Sequence, residues 1–481
     1  MDSLWSVRTR GVIVVVAALA TMGGCARPAA QKPAEAQAPA ASPGVVVNVA
    51  VVPPSNITRD PLPAPVSIAV PPAPSNAARL AATSKTWMEP GSYKALEPGF
   101  HGSVRVLAPT RLDWQFVVKP NEFEPSSPRL PAGYESTNQT YMLFMPPNYN
   151  ASRQWPLVLC VSPGDGPMGW PDFESICRSE GVIFASPMNT GNNQPFAMRA
   201  RIVLDVLDDV RRRLAIDPDR VYLSGMSGGG RVAARVAYAL PEACAGVMPI
   251  CGSYSLRDEP WVRLRVAERL SVALLAGETD WLRAESEREY LPIMNAYHIR
   301  AKLITYPGGH TTPPGDVLRD AFPWVEAGLE QRRKLAQRFP FSSMAYPWSA
   351  ETWSNGLVDE GTARLRAPAS GPYGMLQLRG AALRWRDSTA AQRAREVLDA
   401  HNRPGQPTWE QVFHDERLRF ALLQSRAFDD HLRGPDPQGF PGSREPLWRM
   451  LRLSWSETLY LARSTPYAAE AEARLEALKK R

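Results

Sequence analysis

The sequence reads Val221-Tyr222-Leu223-Ser224-Gly225-Met226-Ser227-Gly228-Gly229 at the point where an apolar, strand-like run turns sharply into the helix-like segment Arg231–Leu240. A serine at such a turn is held out of the sheet, and glycines are required on both sides because a Cβ would clash in the strained backbone. In a chain with 33 glycines the pattern alone could be a glycine-rich helix start. The flanking strand and helix instead favour a nucleophile elbow, a sharp strand-to-helix turn that presents a reactive serine. This interpretation predicts that Ser227 is a nucleophile.

Two further residues follow apolar strand-like runs. Asp280 comes after Val272–Ala276 and His310 comes after Lys302–Tyr306. The carboxyl ends of parallel strands meet at one edge of a sheet, so we expect both side chains near Ser227, and the chain order Ser, Asp, His is that of the α/β-hydrolases. Asp280 also fits a helix N-cap, and Glu278 is an alternative acid. His298 is the other candidate base, but a position at a helix C-terminus explains it.

These residue types suit acyl transfer. His310 would take the proton of the Ser227 hydroxyl, and Asp280 would hold the imidazole tautomer and stabilise the imidazolium. The oxyanion needs two N–H donors. The first is predicted to be Gly228, directly after the nucleophile. The second normally comes from the loop after the third strand, and since Pro163 has no N–H, Gly164 or Asp165 must donate.

The chain resembles the extracellular polyhydroxybutyrate-depolymerase and feruloyl-esterase group of the α/β-hydrolases over roughly residues 100 to 335. The resemblance implies a serine esterase without metal or cofactor, acting on small or polymeric esters, whose triad falls on Ser227, Asp280 and His310. The sequence departs from the family at Ser162-Pro163, where the family has His-Gly. The similarity lies in four blocks: Tyr141–Tyr149, Trp155–Val161, Ile216–Gly230 and Gly308–His310.

The amino-terminal sequence predicts export. Arg8 and Arg10 precede the apolar run Gly11–Ala20, which is too short to span a bilayer, and small residues lead to Cys25. This pattern resembles a lipoprotein signal over residues 1–25, with Cys25 as the lipidated residue. The alternatives are a secretory signal cleaved near Ala26 or an uncleaved anchor. Residues 26–79 are rich in proline and alanine, which predicts a disordered, extended tether. The expected location is the periplasm or outer membrane, or otherwise outside the cell.

Residues 80–340 are predicted to form the α/β-hydrolase domain, because strand runs alternate with helical stretches as in a mostly parallel sheet covered on both faces. Its first strands are placed at Ser103–Leu107, Asp113–Val118 and Thr140–Met145. The predicted helices are Phe173–Glu180, Ala197–Leu214, Arg231–Leu240, Glu285–Tyr297 and Val317–Arg338.

Residues 341–481 are predicted to be all-α, with a capping box at Thr408 and Gln411. A helical bundle packed on the hydrolase is favoured over a tetratricopeptide-like array, and these helices are candidates for binding a protein partner. The predicted helices are Tyr373–Trp385, Thr389–Ala400, Thr408–Leu432, Pro446–Ala462 and Thr465–Lys480.

Composition narrows the function classes. The net charge of +7 includes no concentrated basic stripe, so nucleic acid is not expected as a partner, and no spacing matches a zinc, phosphate-loop or dinucleotide site. The four cysteines after Cys25 allow one unassigned disulfide, although packing roles are favoured. Two other functions stay open: a prolyl-oligopeptidase-like peptidase and a non-catalytic envelope scaffold on a hydrolase fold. The four cysteines are Cys160, Cys177, Cys244 and Cys251.

Overall fold

The computed structural model describes residues 95–119, 121, 128–345, 348–402, 404–435 and 443–479. The predicted signal, Cys25 and the tether therefore lie outside the described residues. Within the described ranges, no helix combines the length and apolar character needed to cross a bilayer.

Eight strands form one mixed sheet in the order β1-β2-β4-β3-β5-β6-β7-β8. Strand β2 runs antiparallel to both of its neighbours, β1 and β4, and all other neighbouring pairs are parallel. The parallel part therefore carries the carboxyl ends of β5, β7 and β8 at the same edge. The strands are β1 (Gly99–Arg105), β2 (Thr140–Met145), β3 (Trp155–Val161), β4 (Ile183–Pro187), β5 (Ile216–Met226), β6 (Gly246–Ile250), β7 (Ser271–Gly277) and β8 (Arg300–Tyr306).

Both faces of the sheet are covered. Along β3, Leu157 and Leu159 belong to one hydrophobic cluster, whereas Val158 and Cys160 belong to a second cluster on the other face. This alternation follows from the two-residue period of a strand, and burial on both faces explains why β3 reads as an uninterrupted apolar run.

Helices on the two faces supply the rest of each cluster. The first cluster includes residues of α1, α3, α4 and α5, and the second includes residues of α2 and α8. The helices of this part of the chain are α1 (Trp114–Val118), α2 (Trp170–Glu180), α3 (Phe196–Arg213), α4 (Gly228–Ala239), α5 (Pro260–Arg269), α6 (Arg283–Glu285), α7 (Leu291–Ala296), α8 (Gly315–Glu326) and α9 (Leu329–Arg338).

The prediction of a strand at Asp113–Val118 is wrong, because this segment forms α1. Asp113 Oδ1 accepts the N–H of Phe116 at 3.1 Å and so caps the first turn. The buried Phe116 ring stacks on Trp261 of α5. A side-chain cap and one tertiary contact thus outweigh the β propensity of the two valines that end the segment.

Two predicted helices are interrupted. In Glu285–Tyr297, α6 and α7 flank a π turn over Ser286–Tyr290. Pro292 lies in the first turn of α7 and has no N–H to donate, which suits such a widened turn. The helix predicted over Val317–Arg338 divides into α8 and α9. The two helices are joined by the buried guanidinium of Arg332 in α9, which donates to the carbonyl of Val325 in α8 at 3.3 Å.

The carboxy-terminal region is helical as predicted, with one additional helix, α10, before the first predicted one. Helices α10 to α13 contribute to the same hydrophobic cluster as the sheet and its helices, and α13 to α15 share a cluster of their own. The capping box at Thr408 and Gln411 is confirmed. The helices are α10 (Ala350–Leu365), α11 (Gly371–Arg384), α12 (Thr389–His401), α13 (Trp409–Arg433), α14 (Glu445–Ala462) and α15 (Ala468–Lys479).

Candidate active site

Ser227 occupies the turn between β5 and α4 in a strained backbone conformation, with φ 54° and ψ −122°. Its N–H donates to the carbonyl of Ile250 at the end of β6, at 2.7 Å. An ideal Cβ on Gly225 or Gly229 would lie 2.6 or 2.1 Å from the carbonyl oxygen of Val161. Glycine is therefore required at both positions for α4 to approach β3, as the sequence pattern indicates.

Asp280 and His310 form a hydrogen-bonded pair. The distance between Asp280 Oδ1 and His310 Nδ1 is 2.9 Å, and the side chain of Asp280 is fully buried. Burial alone would raise the pKa of Asp280, but hydrogen bonds from His310, from the N–H of Leu282 and from the Cys251 thiol hold it below its ordinary value. An ionised carboxylate can only accept, so Nδ1 carries the proton and Nε2 is left with its lone pair, the form that a general base needs.

Cys251 lies close both to this pair and to the backbone that holds Ser227. It directly follows Ile250, whose carbonyl accepts the Ser227 N–H, and its backbone has a positive φ of 50°. Its Sγ lies 3.0 Å from the Tyr306 hydroxyl, and burial raises the pKa of the thiol to about 11. From its position in the sequence, Cys251 was expected to have a role in apolar packing. A cysteine directly after a strand end was the one signal that pointed to this edge.

The ligand atoms of Cys251, Asp280 and His310 all lie within 4.8 Å of one another, so this group has the composition of a metal site. However, the Asp280–His310 hydrogen bond already occupies Nδ1, which a metal ion would have to displace. The arrangement is accounted for by a histidine positioned by a carboxylate, with the Cys251 thiol nearby and 3.4 Å from the carbonyl of Thr311. Cys160, Cys177, Cys244 and Cys251 are all free thiols, so no disulfide joins them.

The alternative acid and base lie elsewhere. Glu278 is exposed, and its carbonyl accepts a hydrogen bond from Arg283 at 3.1 Å. His298 is exposed at the end of α7 in a left-handed conformation with φ 55°. The structure thus brings together Asp280 and His310, and neither alternative replaces them.

The loop after β3 contains Gly164 and Asp165, the two candidates for the second oxyanion donor. The N–H of Gly164 donates to Ser162 Oγ at 3.0 Å, so this predicted donor is already engaged within the loop. Asp165 is tied to the segment that follows β4, because its carbonyl accepts the Asn189 N–H at 2.7 Å and its carboxylate accepts the Gly191 N–H at 3.2 Å. Gly228 begins α4, where the first N–H groups of the helix have no partner in the preceding turn.

Sequence reasoning missed two side chains at this edge. Trp281, next to the acid, stacks on His310 with ring centroids 4.1 Å apart and an interplanar angle of 21°. Asn192, in the segment after β4, lies against Gly228. Neither residue belongs to a motif, and only the fold brings them to the site.

The comparisons with known proteins concern the fold. No protein-family model matches the sequence, and no curated protein is significantly similar to it. Similar solved structures include the S-formylglutathione hydrolase FrmB of Staphylococcus aureus (12% identity over 39% of this chain and 92% of that chain, TM-score 0.32). Another is the fluorophosphonate-binding serine hydrolase FphF of Staphylococcus aureus (12% identity over 48% of this chain and 99% of that chain, TM-score 0.34). A third is Est1E of Butyrivibrio proteoclasticus (15% identity over 40% of this chain and 94% of that chain, TM-score 0.29).

The mixed sheet with helices on both faces fits an α/β-hydrolase fold. Similarity at 12–15% identity says nothing about substrate. The resemblance to the polyhydroxybutyrate-depolymerase and feruloyl-esterase group in particular stays a prediction.

Proposed function

We propose that this protein is a serine hydrolase that cleaves carboxylic esters through an acyl-enzyme intermediate. The observation that carries the proposal is the 2.9 Å contact between buried Asp280 and His310 at the sheet edge where Ser227 occupies a strained strand-to-helix turn. A nucleophile, a base and an orienting acid on the ends of three strands form the constellation that acyl transfer requires.

In the proposed reaction, the Ser227 hydroxyl attacks the ester carbonyl while His310 Nε2 takes its proton. Asp280 keeps Nδ1 protonated and stabilises the imidazolium. The imidazolium then protonates the leaving alcohol, which departs and leaves the acyl group on Ser227. Water, deprotonated by the same imidazole, hydrolyses this acyl-enzyme and releases the acid.

The proposed setting is the cell envelope. A lipoprotein signal ending at Cys25 and a proline-rich tether over residues 26–79 would hold the hydrolase away from a membrane surface. Such a tether suits substrates that are themselves fixed, for example esters on polymers, as well as small esters that diffuse.

The proposal is tested with a panel of p-nitrophenyl and carbohydrate esters. Ser227→Ala and His310→Ala are each expected to lower kcat on the order of 10⁶-fold, the scale seen when a member of such a unit is removed. His298→Ala is the matched control and should keep wild-type kcat, because His298 is exposed away from the pair. Hydrolysis that survives Ser227→Ala at a tenth of the wild-type rate rejects the assignment.

Matched amides in the same panel address the peptidase alternative. Faster turnover of an aminoacyl amide than of the corresponding ester would move the function to peptide hydrolysis. Absence of turnover of every ester and amide by folded wild-type protein would favour the non-catalytic scaffold.

A further inference from the structure

The oxyanion site requires a second donor, and the loop after β3 offers few backbone N–H groups for it. Pro163 has no N–H, and the Gly164 N–H donates to Ser162 Oγ. Asp165 presents a carboxylate, whose negative charge opposes an oxyanion. That carboxylate accepts a hydrogen bond from the Gly191 N–H. Of the donors predicted from the sequence, the Gly228 N–H at the start of α4 directly follows Ser227, and the Asp165 N–H is the remaining one in the loop after β3.

Asn192 lies beside that donor. An ideal Cβ on Gly228 would be 1.9 Å from Asn192 Oδ1, 2.8 Å from Cγ and 3.1 Å from Nδ2. The carboxamide thus fills the space that any side chain at position 228 would take, directly against the residue that follows the nucleophile. A Cβ at position 228 would have to displace the Asn192 carboxamide, whereas the clashes at Gly225 and Gly229 are with backbone.

The backbone on either side holds Asn192 in this position. The Asn192 N–H donates to the carbonyl of Pro163 at 2.8 Å, and the Thr190 hydroxyl donates to the carbonyl of Ser162 at 3.3 Å. Arg199 Nε in turn donates to the carbonyl of Thr190 at 2.7 Å. The segment after β4 is therefore fastened to the loop after β3, while the Asn192 side chain itself remains exposed.

We propose that the Asn192 carboxamide is the second oxyanion donor, which makes Asn192 a catalytic residue of the ester hydrolysis proposed above. The inference rests on that function. Rotation about the Cβ–Cγ bond exchanges the carboxamide oxygen for the two N–H donors, and a developing negative charge favours the orientation that presents the N–H groups. A neutral donor fixed beside the nucleophile stabilises the tetrahedral intermediate without altering the protonation of His310.

The first test separates kcat from KM. Asn192→Ala is expected to lower kcat by about 10²- to 10³-fold, the loss measured when one donor of such a site is removed, with little change in KM. Asn192→Asp keeps the shape but replaces the donors with a carboxylate, so its kcat should be at least as low. Gln194→Ala removes a side-chain amide two residues along the same segment and is the matched control, with wild-type kcat and KM.

A second test uses the contact with Gly228. Gly228→Ala keeps the backbone N–H but introduces a Cβ where the carboxamide lies, so it should lower kcat by displacing Asn192. The double variant Gly228→Ala/Asn192→Ala should lose little beyond Asn192→Ala alone, because both changes remove one interaction. Fully additive losses would show that the two residues act separately and would overturn the inference.

The outcomes distinguish this inference from the proposed function. Wild-type kcat for Asn192→Ala, in a protein whose Ser227→Ala variant is inactive, overturns the role of Asn192 and leaves the esterase intact. A loss accompanied by a raised KM and a lower melting temperature would assign Asn192 to loop structure, which also rejects the inference. Failure of wild-type protein to hydrolyse any ester rejects the proposed function itself.

Discussion

Among single residues, the proposed reaction depends most on how firmly Asp280 and His310 are held in position. Asp280 accepts hydrogen bonds from His310 Nδ1 at 2.9 Å and from the Leu282 N–H at 3.1 Å. Trp281 covers the imidazole on one face. The residue types of the pair could be predicted from motif order, but Trp281, Asn192 and the proximity of Cys251 could not, because they come from segments that only meet in the folded sheet.

Asp280→Asn should lower kcat on the order of 10⁴-fold while the fold is preserved. The amide keeps the shape of the carboxyl group, but it can donate to Nδ1 and so favours the wrong imidazole tautomer. Glu278→Gln is the control, since Glu278 is exposed and its side chain is not hydrogen-bonded to His310. The measurement is steady-state ester hydrolysis. Loss of activity in Glu278→Gln with retention in Asp280→Asn would transfer the acid role to Glu278.

Trp281→Leu should lower kcat by about 3- to 30-fold with KM nearly unchanged. An indole stacked on an imidazole stabilises the imidazolium that forms during the reaction, and such cation–π contacts contribute about 0.5–2 kcal/mol. The measurement is again kcat and KM, now together with their dependence on pH. Trp281→Phe retains a ring and should recover part of the loss. Equal rates for the leucine, phenylalanine and wild-type proteins would show that the stacking has no part in catalysis.

For the helices and strands, close packing at glycines explains one success and one failure of prediction from the sequence. The β5–α4 turn could be predicted because its glycines are required by the Val161 carbonyl. Helix α10 carries Gly356 and Gly361, which pack against the Phe341 ring and against α11. These glycines lower its helix propensity and hide its amphipathic pattern, so the helix is decided by tertiary contacts that no local pattern contains.

Gly229→Ala should destabilise the protein by about 3 kcal/mol or more. The added Cβ would lie 2.1 Å from the backbone oxygen of Val161, so α4 would have to move away from β3. Gly102→Ala is the matched control, because a Cβ there meets nothing within 4 Å. Urea unfolding gives both free energies. Equal stability of Gly229→Ala and wild type would contradict the close helix–strand contact on which the serine turn depends.

For the molecule as a whole, buried ion pairs join the carboxy-terminal helices to the domain that contains the sheet. Glu360 of α10 contacts both Arg265 of α5 and Arg364, and all three side chains are almost completely buried. Helix α13 contacts the π turn that follows the acid, where Glu289 pairs with His431 and Arg288 donates to the carbonyl of Pro435. The helical region therefore supports the segment that carries Asp280.

Glu360→Gln should lower the free energy of unfolding by about 3–5 kcal/mol, because it leaves the buried guanidinium of Arg265 without its ion-pair partner, while Arg364 keeps Glu268. The neighbouring Asp359→Asn is the control. Asp359 pairs with Arg393 at an exposed position, where such a pair contributes about 0–1 kcal/mol. Chemical denaturation measures both changes. A loss for Glu360→Gln no larger than that of Asp359→Asn would show that the buried pairs do not hold the helices in place.

The same ion pairs predict that the free energy of unfolding depends on pH. Burial would raise the pKa of Glu360, but Arg265 and Arg364 more than offset it and hold the pKa below its ordinary value. The stabilisation is therefore complete above the unfolded-state pKa of about 4.3 and is lost as the pH falls through the lower folded-state value. Between about pH 5 and pH 3, wild type should lose more unfolding free energy than Glu360→Gln does. If the unfolding free energies of wild type and Glu360→Gln changed in parallel with pH, the buried pairs of Glu360 would not be the source of this pH dependence.

The proposed function requires Ser227 to be an activated nucleophile, and covalent labelling tests this requirement without any choice of substrate. Folded protein is treated with a fluorophosphonate, digested, and the labelled peptide is sequenced by mass spectrometry. We expect one adduct, on Ser227, with labelling abolished by Ser227→Ala and strongly slowed by His310→Ala. No adduct on Ser227 in active, folded protein, or labelling that persists in Ser227→Ala, would contradict it.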